Sequence, residues 1–318
     1  MKKLLLTAAL SLLALPASAE TYGVLMKTLA NPFWGAMELG VREGAEAAGV
    51  EYYLQAVESD QAAEPQLNVC NTMLERQPDA MITAAINSTI LLPCLKRAND
   101  MGIPVVDLDG NLDHKIAMEA GVDIAFSIGS DNVAAGAQGA EWLVSQLGAD
   151  AAGPVLVIEG LSGNVTGQKR ATGFAEKLAE LAPGLEVVAS LPGDWDRGKA
   201  ANITNDILTA HPDLVAVFAA NDGMALGSIE TVYAAGLQDQ VVVIGVDGNS
   251  DAVKSIKAGR LNASVAQLPY LVGKQAVEMV AKMKMGEEPA GDWIYVPTMV
   301  LTKEVLDAGT EPMLEYVK

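Results

Sequence analysis

The sequence predicts an α/β protein of two similar lobes, each a parallel sheet flanked by helices. Three observations lead there. Short apolar segments alternate with longer helical patterns along most of the chain, the rhythm of βαβ units. Those strands are too many for one comfortable sheet. Finally, 318 residues suffice for about two domains of ~150 residues, each able to bury its own core. A TIM barrel shares the rhythm and needs only ~250 residues. The irregular stretch 110–128 breaks an eightfold repeat, however, and is where the chain is expected to pass between lobes.

In chain order, Gly23 to Thr28 reads as a buried strand, and Pro32 opens a helix reaching Ala48. Val50 to Ala56 is strand-like, Pro65 to Arg76 helical, and Ala80 to Ile86 strand-like again. Leu91 to Met101 is helical, with Pro93 in its first turn, and residues 104–109 repeat the strand rhythm. After the loop come helices at Val133 to Leu147, Gly167 to Leu181, Gly198 to Ala210 and Met224 to Ala235. Strands alternate with them at Val155 to Glu159, Glu186 to Leu191, Leu214 to Ala219 and Val241 to Val246.

Composition narrows the function. A chain 50% hydrophobic is not disordered. With 21 Lys+Arg against 40 Asp+Glu, the formal charge of −19 argues against nucleic acid, which requires clustered cations. Two His and two Cys leave little for a zinc site or a thiol enzyme, so neither a metal nor a cofactor is expected. Residues 1–19 read as a secretory leader: Lys2 and Lys3, an apolar run from Leu4 to Leu15, then Ala17-Ser18-Ala19 before Glu20. The run is too short for a ~30 Å hydrocarbon core, and no Cys follows the cleavage site for lipid attachment. A soluble exported chain is therefore expected, with a mature charge of −21 from 19 basic (21 − 2) and 40 acidic residues. Export permits disulfides. Cys70 and Cys94 fall on the helices flanking one strand, so they either pair or remain two buried thiols. His114 and His211 lack evident partners and read as surface residues. Gly160-Leu161-Ser162-Gly163-Asn164 lacks the spacing of a nucleophile elbow, and no phosphate-cradling P-loop occurs.

In open α/β sheets, ligands bind outside the carboxyl ends of the strands, and several of this chain's strands end in polar or aromatic clusters. Lys27 precedes Asn31-Pro32-Phe33-Trp34; other strands end in Asp107-Leu108-Asp109, Asn221-Asp222 and Asp247-Gly248. Two more segments add Asp194-Trp195-Asp196-Arg197 and Ala266-Gln267-Leu268-Pro269. Each alone is a cap, a turn or a core residue. Their recurrence points to a ligand with polar edges and apolar C–H faces, such as a sugar or polyol.

The chain resembles the periplasmic sugar-binding proteins of the ribose/allose type, the receptor components of ABC importers. The resemblance spans essentially the whole mature sequence. It is carried by residues 27–34, Ser130-Asp131-Asn132-Val133, Asp194 to Arg197, Phe218 to Gly227, Ala266 to Pro269, and Arg170-Ala171-Thr172-Gly173-Phe174. It implies a type I periplasmic binding protein fold, with two Rossmann-like lobes joined by a three-segment hinge. The lobes would comprise residues 20–130 plus 268–298 and 131–267 plus 299–318, hinged near 130–131, 267–268 and 297–299. It implies that Phe33 or Trp34 stacks on one face of a sugar and Trp195 on the other. Lys27, Asn31, Asp109, Arg170, Asn221, Asp247 and Gln267 would complete the ligand-binding set. Relative to ribose-type members, Gly110 replaces an Arg and Ala84 an Asn, whereas Lys27 follows the allose-type pattern. A hexose, ketose or sugar alcohol is thus at least as well matched as ribose, with Asn87 a polar group available nearby. The implied partners are the sugar and an inner-membrane permease that distinguishes closed from open lobes, with a chemoreceptor as a further partner and the chain a monomer. Two other classes compete. An exported sugar hydrolase would use paired carboxylates such as Asp194 and Asp196. A repressor's ligand domain would require a basic helix-turn-helix rather than a leader.

Overall fold

The computed structural model describes residues 19–318. The leader expected over residues 1–19 lies outside the described residues except for Ala19. The chain opens with β1 (Thr21–Thr28), α1 (Pro32–Ala48), β2 (Glu51–Val57), α2 (Ala63–Leu74) and β3 (Ala80–Thr83). It continues through α3 (Leu92–Asp100), β4 (Val105–Leu108), α4 (His114–Glu119) and β5 (Phe126–Gly129). A second series follows: α5 (Asn132–Leu147), β6 (Gly153–Glu159), α6 (Val165–Leu181), β7 (Leu185–Pro192), α7 (Arg197–Ala210), β8 (Ala216–Ala219), α8 (Asp222–Ala234), β9 (Val242–Asp247), α9 (Ser250–Lys257) and β10 (Ala263–Ala266). The chain ends with α10 (Pro269–Lys284), β11 (Trp293–Tyr295), β12 (Met299–Leu301), α11 (Lys303–Ala308) and a 3-10 turn over Pro312–Tyr316.

These strands form two six-stranded sheets, ordered β11-β5-β4-β3-β1-β2 and β12-β10-β9-β8-β6-β7. The two share one plan. In each, the order reverses between the first and third strands of its series, at β1/β3 and at β6/β8. Those reversals are the switch points where a doubly wound sheet opens a crevice beyond its strand ends. Every pairing is parallel except β10 with β12, which run antiparallel. The central strands are buried on both faces, β3, β4, β8 and β10 completely, as parallel sheets covered by helices require. The chain passes between sheets three times: after β5, after β10, and between β11 and β12. Ser130 Oγ donates to the Gln267 carbonyl at 3.4 Å, tying two of these passages together.

The structure corrects four sequence expectations. Residues 110–128 are not an irregular passage: they hold α4 and the start of β5, and the chain stays in the first sheet until Gly129. The strand expected to Ile86 ends at Thr83, and the segment after it leaves the sheet and places the Ile86 carbonyl against Asn164. His114 is not partnerless: its Nε2 lies 2.6 Å from Ser127 Oγ and its ring 5.9 Å from that of Trp293. Asn87 adds no group to the inner wall of the cleft; its Oδ1 accepts from the Thr89 and Ile90 amides and closes the turn before α3. Cys70 on α2 and Cys94 on α3 are bridged, with Cα atoms 6.3 Å apart. The C-terminal turn packs on α10, where Tyr316 stacks with Tyr270 at 6.2 Å.

Candidate functional site

The carboxyl ends of the two sheets face each other across a narrow, partly open cavity. Nine of the ten expected residues line it: Lys27, Asn31, Phe33, Trp34, Asp109, Arg170, Trp195, Asn221 and Asp247. Asp60 and Thr166 complete the wall. Gln267 does not line it; its Nε2 donates to Asp247 Oδ1 at 2.6 Å and holds that carboxylate from behind.

The first sheet presents its groups from β1 and β4. Asn31 caps α1 by accepting the Phe33 amide at 3.0 Å, so the helix starts with Phe33 and Trp34 in its first turn, at the cleft. The two rings meet edge to face at 5.0 Å and 86°, which fixes both. Lys27 stands 5.1 Å over the Trp34 ring and 3.9 Å from Asp109 Oδ2. Asp109 sits at φ +67°, an uncommon conformation for a residue with a side chain. Beneath it, the buried Asp107 accepts from the Asn111 and Leu112 amides and from Ser127 Oγ, which shapes the turn.

The second sheet answers from β8, β9 and α6. Arg170 is buried and fully directed: Nε donates to Asn132 Oδ1 at 2.8 Å, and Nη1 to the Ala220 carbonyl at 2.7 Å and Asp247 Oδ1 at 3.3 Å. Asn221 caps α8 through the Met224 amide, so the cap reading and the site reading hold together. Asp247 has φ +130° and Trp195 φ +63°, so three of the lining residues hold left-handed backbone. Gly160 leaves room for the Trp195 indole: a Cβ there would stand 2.1 Å from Cη2 and Cζ2. Contacts also bridge the lobes directly. Asn164 Nδ2 donates to the Ile86 carbonyl at 3.3 Å and Asn111 Oδ1 at 3.2 Å, and Lys169 lies 5.6 Å over the Trp293 ring.

Burial sets the electrostatics. It raises the carboxyls of Asp60 and Asp109, opposed in both cases by Lys27, and lifts Asp247 to about 7 against the pull of Arg170. Asp107 also rises to about 7, and burial beside Asp247 raises Asp222. Lys27 is lowered by burial and partly restored by Asp109. The site thus combines aromatic faces on both walls with fixed donors and acceptors from two sheets, which suits recognition of a polyhydroxylated ring. Asp194 and Asp196 are occupied elsewhere: Asp194 pairs with Lys199 at 2.6 Å, and Asp196 caps α7. Among the described residues, no cluster of His, Cys, Asp and Glu is arranged to hold a metal.

The two departures from the ribose-type pattern have structural counterparts. Gly110, at φ +63°, lies against Trp293, whose Cη2 is 2.1 Å from where a Cβ would stand. The indole therefore fills the space that a side chain at 110 would need. Ala84 is buried away from the cavity, and its carbonyl accepts from Gln66 Nε2.

A family model described as a periplasmic binding protein domain matches residues 22–288. The chain is 35% identical over 291 residues to the D-allose-binding periplasmic protein of Escherichia coli K12, covering 90% of this chain and 93% of that one. It is 33% identical over 269 residues to the ribose import binding protein RbsB of Salmonella typhimurium, covering 85% and 86%. Among solved structures, an ABC transporter periplasmic solute binding protein from Actinobacillus succinogenes with bound D-allose superposes with a TM-score of 0.85. That pair is 32% identical over 91% of this chain and 99% of the other.

Proposed function

The chain belongs to the periplasmic binding protein family, and from that premise we propose that it is the substrate-binding receptor of an ABC sugar importer. Its ligand is a monosaccharide or sugar alcohol held in the interlobe cleft. The observation that carries the reading is the pairing of aromatic walls from both sheets, Phe33 and Trp34 facing Trp195, around buried groups of both charges. Such a cavity covers the apolar faces of a sugar ring and satisfies its hydroxyls at the rim. In this reading Lys27, Asn31, Asp109, Arg170, Asn221 and Asp247 bond the ligand, and Gln267 acts through Asp247. With Gly110 packed under Trp293, a hexose, a ketose or a sugar alcohol is at least as well matched as ribose. The reading assigns residues 20–130 plus 268–298 to one lobe and 131–267 plus 299–318 to the other.

Closure gains contacts only when a ligand bridges both lobes, so the closed form is what a permease recognises. The chain acts in the periplasm after loss of residues 1–19, as a soluble monomer without lipid; among the described residues, no helix is long and apolar enough to cross a membrane. It carries out no catalysis. A chemoreceptor is a second partner for the closed form. Calorimetric titration of the mature chain with pentoses, hexoses and polyols tests the proposal. Binding of at least one of them with 1:1 stoichiometry is expected, and failure of all of them overturns it.

A further inference from the structure

One carboxylate lining the inner cavity belongs to none of the strand-end clusters that the sequence marks. Asp60 follows β2, at the carboxyl edge of the first sheet, and lies on the wall of the inner cavity. It also lies on the wall of a larger outer cavity of about 980 Å³ at the cleft mouth. Four residues border both spaces, Asn31, Asp60, Trp195 and Asn221, and Asp60 is the one ionisable group among them. Its carboxylate therefore stands at the threshold, where the mouth-facing end of a ligand in the inner cavity would lie. Burial raises its carboxyl, and Lys27 together with the Trp34 and Asn31 side chains opposes that rise.

The charge balance at this threshold is one-sided. Facing the inner cavity, Asp60, Asp109 and Asp247 oppose Lys27 and Arg170, a sum of −1 when all are ionised (2 − 3). The outer cavity adds Glu58, Asp194, Asp196 and Asp251 against Arg197; Asp194 is paired with Lys199, Asp251 with Lys254 and Arg197 with Glu230, and the wall stays acidic. An ionised carboxylate accepts hydrogen bonds and donates none. A ligand group meeting Asp60 must therefore bring a proton, and an anion there meets repulsion in a partly desolvated site.

We propose that Asp60 contacts the ligand and sets specificity, accepting a hydrogen bond from the ligand's mouth-facing hydroxyl or amine and excluding ligands that carry a carboxylate or phosphate at that end. This rests on the sugar-receptor reading above. The test is calorimetric titration of the mature chain and of D60A and D60N. The probes are the best-bound neutral sugar, its monodeoxy analogues, its amino derivatives and its uronate.

A hydrogen bond to a charged group predicts a roughly ten- to hundred-fold weaker Kd for D60A with the neutral sugar. One monodeoxy analogue should bind wild type and D60A alike, because it lacks the group that Asp60 reads. The uronate should bind D60N more tightly than wild type. An amino derivative that binds wild type more tightly than the hydroxyl form, and loses that gain in D60N, identifies an amine as the cognate group; a hydroxyl form that binds more tightly identifies a hydroxyl. Unchanged affinities in both variants overturn the proposal. So does an equal loss for every monodeoxy analogue, which would mean that Asp60 only supports Trp34. If wild type binds no sugar, the receptor reading fails and the role of Asp60 falls with it; if wild type binds and the variants match it, only the role of Asp60 fails.

Discussion

Replacing Gly160 with Ala tests the aromatic wall without touching a residue that lines the cavity. The added Cβ would stand 2.1 Å from Cη2 and Cζ2 of Trp195 and 2.8 Å from Cε2. Ordinary contact begins near 3.4 Å, so the indole must withdraw by about 1.3 Å (3.4 − 2.1). It has little freedom to do so in place. Trp195 and the preceding Asp194 both hold positive φ, and Gly167 closes on the ring from α6, where a Cβ would be 3.0 Å from Cη2. The ring must therefore tilt into the cavity or swing out toward the mouth, and either movement removes one sugar-stacking face. An apolar contact of this size is worth about 1.5–3 kcal/mol, so Kd should rise roughly 10- to 150-fold. Calorimetry measures the affinity, and tryptophan fluorescence reports the displaced ring. The Gly160→Ala/Trp195→Ala double variant should bind no more weakly than Trp195→Ala, because both changes remove one contact. A Gly160→Ala protein with wild-type affinity, or a double variant weaker by the sum of the two losses, would refute the reasoning.

Three further outcomes follow from the same geometry. Asn164→Ser keeps a hydroxyl to cap α6 but loses the two bonds to Ile86 and Asn111 across the cleft. Ligand affinity should fall roughly thirtyfold at about one kcal/mol for each of the two bonds, with the thermal midpoint of the ligand-free protein little changed; a midpoint that falls as far as the affinity would show a purely structural role. Replacing Cys70 and Cys94 with Ser opens a loop with a sequence separation of 24 and should lower unfolding stability by about 3.5 kcal/mol on the chain-entropy estimate. Denaturant titration checks this, and an unchanged midpoint would contradict it. Asp107 and Asp247, lifted to about 7 by burial, keep protons that an unfolded chain releases near pH 3.9. Their favourable contribution is complete below about pH 4 and is lost as pH rises through about 7. The ligand-free midpoint should therefore drop over that window, and it should drop less in Asp107→Asn; a variant that keeps the full wild-type slope would show that Asp107 does not contribute.

The strand–helix rhythm carried most of the fold because parallel strands buried on both faces read as short apolar runs, as β1, β3 and β8 do. It misled at residues 110–128, where the short α4 and a four-residue strand are too brief to show a period. Most of the site was readable for a related reason: a doubly wound sheet must place its strand ends around one crevice, so Lys27, Asp109, Asn221 and Asp247 were bound to converge. Asp60 obeys the same rule after β2, but the polar run Glu58-Ser59-Asp60-Gln61 looks like a solvated turn. Thr166 sits inside a helix, where only the exact register of α6 turns it toward the cleft. Gln267 shows the opposite limit, since the twist at a strand end decides whether a side chain lines the cavity or bonds a neighbour, and here it bonds Asp247. Trp293 was out of reach, because its contact with Gly110 joins residues far apart in sequence.

A crystal structure of the mature chain with its best-bound sugar tests the central claim most directly. One sugar is expected between Phe33 or Trp34 and Trp195, with bonds from its hydroxyls to Asp109 on one lobe and to Arg170, Asn221 and Asp247 on the other. A sugar bound outside this cleft, or touching one lobe alone, would contradict it.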